Sequence, residues 1–411
     1  MKSIVHHIQL LVNTRMHTNV LRGPELSLLP TIVDAYLVIE NGKILKYGPM
    51  QELSNKEQAD EWIDAKRATV LPAWCDSHTH LVFAETREEE FVDKIKGLSY
   101  EAIAAKGGGI LNSARKLANC SEDELFERAM IRLQSLMHLG TGAIEIKSGY
   151  GLNTEQELKM LRVIQRIKAV APIPVKASFL GAHTFPLAYK ENHEGYIAEI
   201  INEMLPLIAS EKLADYIDVF CEQGFFNVDE AERICKAGMA LGLKPKIHAN
   251  QLHASGGVQL GVALNAVSVD HLETMDVDAI KVLSSSNTIG TLLPTAAFFL
   301  RMPYQPARIL IEANAAIALA SDYNPGSSPS GNMNFVVSLS CIQMRMLPEE
   351  AINAATLNGA YAMELGEELG SITPGKRANL IFTKPIPSLA FIPYSFGNNL
   401  IDKVMINGRF I

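Results

Sequence analysis

Five side chains of the kinds that bind metal ions fall at the ends of four apolar runs in this sequence. Asp76-Ser77-His78-Thr79-His80 closes the run VLPAWCDS; His248 closes KPKIH, His271 closes AVSVDH and Asp322 closes AAIALASD. In an extended strand residues two apart share a side, so His78 and His80 present their imidazoles to one point. A histidine pair is also an ordinary polar strand end, but five such residues at four strand ends form a pattern. Imidazole nitrogens with one carboxylate oxygen suit zinc or iron, and an open coordination position makes a water acidic enough to attack near neutrality. His78, His80, His248 and Asp322 are read as the metal ligands. His271 then stands behind them or polarises the substrate, and Asp322 also takes a proton from water.

The scaffold that positions them is legible as alternation. Between residues 72 and 365, VLPAWCDS, GAIEIKS, PVKASFLGA, YIDVFCE, KPKIH, AVSVD, TIGTLLP and AAIALAS read as eight strands. Segments between them, such as TEQELKMLRVIQRIKAVA and VDEAERICKAGMALG, carry helical spacing and acidic starts. Eight β–α units predict an α/β fold of the TIM-type (β/α)8 barrel class, with catalytic groups at the strand C-termini. An open doubly wound sheet is the alternative, but no glycine-rich phosphate fingerprint follows the first barrel strand. Outside this region the chain is rich in short strands. DAYLVIENGKILKYG turns at Asn41-Gly42, and LIDKVMINGRFI turns at Asn407-Gly408, both hairpin signals. Residues 1–71 and 366–411 are therefore expected to join in a small β-sandwich domain beside the barrel of 72–365.

At 411 residues and 48% hydrophobic content the chain can bury a large core. A net charge of −8 without a Lys/Arg block disfavours nucleic acid and anionic membranes, leaving a small molecule as the expected partner. The opening MKSIVHHIQLLVNT reads as a strand rather than a signal peptide, and no apolar stretch reaches the ~20 residues of a membrane span. Five scattered cysteines without a C-x-x-C pair suggest reduced thiols and a cytoplasmic setting.

The ligand pattern, His-x-His after the first strand, His after the fifth and sixth and Asp after the eighth, resembles that of the amidohydrolase superfamily. Two-metal members also use a carboxylated lysine or a carboxylate after the fourth strand. Here YIDVFCEQG offers no lysine and Lys147 lies earlier, so one zinc or iron ion per subunit is expected, with Glu222 as the remaining bridging candidate. Nearly the whole chain is similar to the imidazolonepropionases, through HTHLVFAETREEEF, KGGGI, EIKSGYGL, FLGAH, DVFCEQGFF, SVDHLE and ASDYNPGSSP. That resemblance implies hydrolysis of the cyclic amide 4-imidazolone-5-propanoate to N-formimidoyl-L-glutamate in histidine degradation. It implies that Arg87 and Tyr150 hold the propionate, that His183 meets the ring, and that Asn324, Gly326 and Ser327 surround the substrate or product. A homodimer fits it. The bland alternative for Arg87 is a solvated salt bridge within TREEE. KGGGI, from Lys106 to Ile110, reads as a loop over the barrel mouth.

One position departs from the family. Many members carry His-Ala-Asp-Glu after the fifth strand; here stands His248-Ala249-Asn250-Gln251. Gln251 can orient substrate through its amide but cannot act as a base, so that role passes to Asp322, assisted by His271. A deaminase releasing ammonia and a catalytically silent binding barrel are the rival readings.

Overall fold

The computed structural model describes residues 1–54, 56–98 and 108–411, so Lys106 and Gly107 of the KGGGI run lie outside the described residues. The first strands are β1 (Lys2–Val12), β2 (Thr31–Glu40), β3 (Lys43–Pro49), β4 (Glu61–Asp64) and β5 (Thr69–Pro72). After Ala73 alone, the barrel begins with β6 (Trp74–Thr79). It continues through β7 (Thr141–Lys147), β8 (Val175–Ala182), β9 (Tyr216–Cys221), β10 (Lys244–Ala249), β11 (Ser268–His271), β12 (Ile289–Leu292) and β13 (Ile317–Leu319). All eight segments read as barrel strands are strands, in sequential parallel order. Between β13 and β6 the ring is drawn together where the amide of Asp322 donates to the His78 carbonyl (3.0 Å) and that of His80 to the Tyr323 carbonyl (2.9 Å). Asp76 reinforces the seam by accepting from the Ser321 amide (3.0 Å) and hydroxyl (2.6 Å).

The two segments singled out as helical form helices Thr154–Val170 and Val228–Ala240. Asn153 and Asn227 cap them, the latter in a reciprocal capping box with Glu230. Their apolar faces join the barrel's outer face in the main core, through residues such as Ile144, Ile146, Val163, Ile167, Ile234 and Ile247.

The chain ends build one mixed eight-stranded sheet. In it β5 pairs with β1 on one side and with β14 (Leu380–Thr383) on the other, followed by β15 (Ile401–Ile406) and β16 (Arg409–Phe410). Both Asn-Gly turns have positive φ at each residue, 51° and 80° at Asn41-Gly42 and 48° and 76° at Asn407-Gly408, as a type I′ hairpin turn requires. The two turns also touch: a Cβ on Gly42 would stand 2.8 Å from the Asn407 carbonyl oxygen.

Candidate active site

Strand geometry brings the ligand-type residues together. His78, His80 and Asp322 form one group whose donor atoms lie within 4.8 Å of each other, and His78, His248 and His271 form another. Nε2 of His78 and of His80 are 3.5 and 3.6 Å from Asp322 Oδ1. Burial, the largest cause in each case, holds His78, His80 and His248 below the ordinary imidazole pKa, so they carry the neutral form that ligates metal. Among the described residues Nε2 of His78 and of His248 has no hydrogen-bond partner although both are buried. Buried polar atoms are normally satisfied. Two orphaned imidazole nitrogens in a cluster closed by one carboxylate fit a bound metal ion.

Behind two of these imidazoles the sequence reading missed a supporting layer. His78 Nδ1 lies 2.7 Å from Asp270 Oδ2, and His248 Nδ1 lies 3.0 Å from Asp218 Oδ1. Each carboxylate fixes the tautomer that leaves Nε2 free. The signal was present: Glu145-x-Lys147, Asp218, Lys246-x-His248 and Asp270 are charged residues at period two inside apolar strands, which points them into the barrel.

Burial and neighbouring charges shift the acidity of both Asp322 and His271. Burial pushes the Asp322 carboxyl up to about 7, against the opposing pull of His271. Burial disfavours charge on His271, but Glu273, with Oε1 3.4 Å from Nδ1, and Asp322 outweigh it and raise its pKa. Asn250, His271 and Asp322 hold left-handed backbone at φ 55°, 88° and 51°. Such conformations cost ~1–3 kcal/mol each and concentrate at functional sites.

Above the cluster opens a cavity of about 650 Å³ lined by His80, Tyr150, His183, Gln251, His271 and Asp322, among others. Phe220, Phe225 and Phe299 add an aromatic wall. Arg87, Asn324, Gly326 and Ser327 line it as well, so each substrate-side residue expected from the sequence borders this space. Arg87 does form a salt bridge within its charged run, but not a solvated one. Its Nε and Nη2 bind Glu90 Oε2 (2.9 and 2.5 Å), in a pair that is about nine-tenths buried. Nη1 faces Gly326, where a Cβ would come within 2.2 Å of it, so only glycine admits the guanidinium. Lys94, a second cation on this wall, was missed; its Nζ is 3.4 Å from the Gly326 carbonyl. Asn324 shapes the loop, its Oδ1 accepting from the Gly326 and Ser327 amides (both 2.8 Å).

His183 is half-buried at the cavity, and burial lowers its pKa to about 3. With Nδ1 3.0 Å from the Gly149 carbonyl, the neutral ring donates there and keeps Nε2 as an acceptor. Glu222 accepts the amides of Gln223 (2.8 Å), Leu252 (2.8 Å) and His253 (3.3 Å), anchoring the loop that carries Gln251. Lys147 is engaged below the cluster by Glu145 and Asp218. A further grouping, His6, His7 and Asp64, lies on the small sheet.

A buried imidazole and carboxylate cluster at the strand C-termini of a (β/α)8 barrel is the architecture of metal-dependent barrel hydrolases. Residues 69–411 match the model of the amidohydrolase family. The chain is 57% identical to an imidazolonepropionase from Flavobacterium johnsoniae and 54% identical to one from Christiangramia forsetii, each over 100% of both chains. One from Thermoanaerobacter pseudethanolicus is 41% identical over 93% of this chain and 91% of its own. The chain therefore belongs to the amidohydrolase family and, within it, to the imidazolonepropionases. Among solved structures, guanine deaminase from E. coli superposes with a TM-score of 0.73 over 100% of this chain and 99% of its own, at 14% identity. An adenosine deaminase from Xanthomonas campestris gives 0.69 over 99% and 92%, at 15%. These two likenesses are of fold alone.

Proposed function

We propose that this chain hydrolyses the ring amide of 4-imidazolone-5-propanoate to N-formimidoyl-L-glutamate in histidine degradation, with one zinc or iron ion held by His78, His80, His248 and Asp322. The observation that carries the reading is the pair of orphaned Nε2 atoms of His78 and His248, the first 3.5 Å from Asp322 Oδ1, in a site that borders a cavity also lined by Arg87 and Lys94. The metal, when bound, supplies Lewis-acid polarisation and lowers the pKa of water. Lys147 and Glu222, both engaged by other groups, support a single-metal site.

In this reading the propionate lies against Arg87, with Tyr150 and Lys94 beside it. The guanidinium is already oriented by Glu90, which leaves Nη1 for the ligand. His183 accepts a ring N–H through Nε2, and the Gln251 amide, which donates and accepts but takes no proton, helps orient the ring. Asn324, Gly326 and Ser327 form the loop that closes around substrate or product. As water adds to the carbonyl carbon, Asp322 receives its proton and passes it to the ring nitrogen when the C–N bond breaks. Asp322, buried within 3.6 Å of the His78 and His80 imidazoles, is placed for both halves of that transfer. His271, with Glu273 Oε1 3.4 Å from its Nδ1, donates to the developing oxyanion.

We read residues 1–71 with 366–411 as the small domain and 72–365 as the catalytic barrel, in a cytoplasmic homodimer. Free cysteines at all five positions and the lack, among the described residues, of a helix long and apolar enough to cross a membrane support that setting. The test is to incubate metal-replete protein with freshly generated 4-imidazolone-5-propanoate, following ring absorbance with an ammonia assay alongside. Metal-dependent loss of absorbance without ammonia is expected; ammonia release would favour a deaminase, and unchanged substrate a silent barrel.

A further inference from the structure

Directly beneath the proposed metal site the barrel interior is ionic. Glu145, Lys147, Asp218, Lys246 and Asp270 are all 0% exposed. Lys147 Nζ lies 2.6 Å from Glu145 Oε1, 2.7 Å from Asp218 Oδ2 and 3.5 Å from Asp270 Oδ2. Lys246 pairs with the other oxygen of Glu145. The remaining capacity is filled by hydroxyls: Ser178 donates to Glu145 Oε1 and Ser268 to Asp270 Oδ1, each at 2.6 Å.

This filling is unusual on energetic grounds. Barrel interiors are ordinarily packed with layers of branched apolar side chains, and buried ion pairs often contribute less stability than apolar residues of the same volume. The connectivity indicates a use. Asp218 spends one oxygen on Lys147 and the other on His248 Nδ1. Asp270 Oδ2 is shared between Lys147 and His78 Nδ1. One ammonium thus reaches, through two carboxylates on different strands, both imidazoles whose Nε2 atoms are left without a partner.

We infer that Lys147 is a positioning residue that locks His78 and His248 together, so that their Nε2 atoms converge on one metal ion before the ion arrives. The inference rests on the metal-site reading above. Lys246 and Glu145 complete the lattice: with three carboxylates and two ammoniums the layer carries one net negative charge, and Glu145 keeps Lys147 from moving away from the two aspartates.

The test separates position from charge. Lys147→Met alone leaves three carboxylates against one ammonium; Lys147→Met with Glu145→Gln restores the net charge while removing the link between Asp218 and Asp270. Glu145→Gln alone measures what losing the Glu145 contact does while the Lys147–Asp218 pair (2.7 Å) stays in place. Each metal-free protein is titrated with Zn²⁺ in competition with a chromophoric chelator, and its thermal unfolding is recorded. The double variant is expected to unfold near the wild-type temperature yet bind Zn²⁺ about 10- to 100-fold more weakly, the range for losing a ligand's supporting partner. Glu145→Gln should lose much less. Wild-type affinity in the folded double variant overturns the inference. If the double variant does not fold, Lys147→Gln with Glu145→Gln, which keeps a polar side chain at 147 but removes the ammonium between the two aspartates, takes its place: about 10-fold weaker binding is expected, and unchanged affinity overturns the inference. A wild-type chain that takes up no Zn²⁺ overturns the metal-site reading itself.

Discussion

The floor of the cavity and its cationic wall are held in different ways. On the floor, His78, His248 and His271 stand on separate barrel strands, and each has a buried carboxylate behind its Nδ1. On the wall, Arg87 precedes the helix Glu88–Ile95, Gly326 and Ser327 lie on a loop, and one carboxylate, Glu90, orients the guanidinium. Glu90 also accepts the Gly109 amide at 3.0 Å, tying the wall to the segment before the helix Ile110–Ala118. The floor is therefore fixed through strand hydrogen bonding and a lattice of ions, whereas the wall is held by one ion pair and a few loop hydrogen bonds. Changes on the floor should act on turnover, and changes on the wall on substrate affinity.

The largest expected effect is on the floor. Asp322→Asn should lower kcat about 10²- to 10⁴-fold, the usual contribution of a positioned base, in protein whose metal content has been verified. Full turnover in that variant would remove Asp322 from the chemistry. On the wall, Arg87→Met should raise KM about 10- to 100-fold with kcat little changed, because a charge-assisted contact made equally in ground and transition states is lost. A loss confined to kcat would erase the distinction between the two regions. Gly326→Ala is a milder version of the same disturbance. Its Cβ would lie 2.2 Å from Arg87 Nη1 and 2.8 Å from Cζ; forcing the guanidinium off its rotamer should raise KM about 2- to 10-fold.

The smallest effect concerns pH and stability. His183 has its pKa lowered from 6.5 to about 3 in the folded chain, chiefly by burial. Between those values the unfolded chain binds a proton that the folded chain refuses, so this contribution to stability is whole above pH 6.5 and is lost as pH falls towards 3. Thermal unfolding of the metal-free protein should show His183→Gln losing less stability than wild type across that window. Equal losses would mean that His183 is not held neutral.

The same contrast explains what could be read from the sequence. The eight barrel strands, the Asn-Gly hairpins and the strand-end placement of His78, His80, His248, His271 and Asp322 follow from local periodicity and turn chemistry. Asp218 and Asp270 sit on inward positions of their strands, but which histidine each supports depends on how strands meet around the barrel. The wall was less legible. Arg87 was assigned through family likeness, its bond to Glu90 three residues on was compatible with a plain surface salt bridge, and only the fold places Lys94 and Gly326 beside it. Glu222 shows the limit of type and position: it ends the fourth barrel strand, yet backbone amides and His253 occupy its carboxylate.

The most direct test of a one-metal hydrolase is to titrate the metal-free protein with Zn²⁺ or Fe²⁺ while measuring turnover of 4-imidazolone-5-propanoate. Activity should rise linearly and level off at one equivalent per chain. A break at two equivalents, or full activity before any metal is added, would contradict the account.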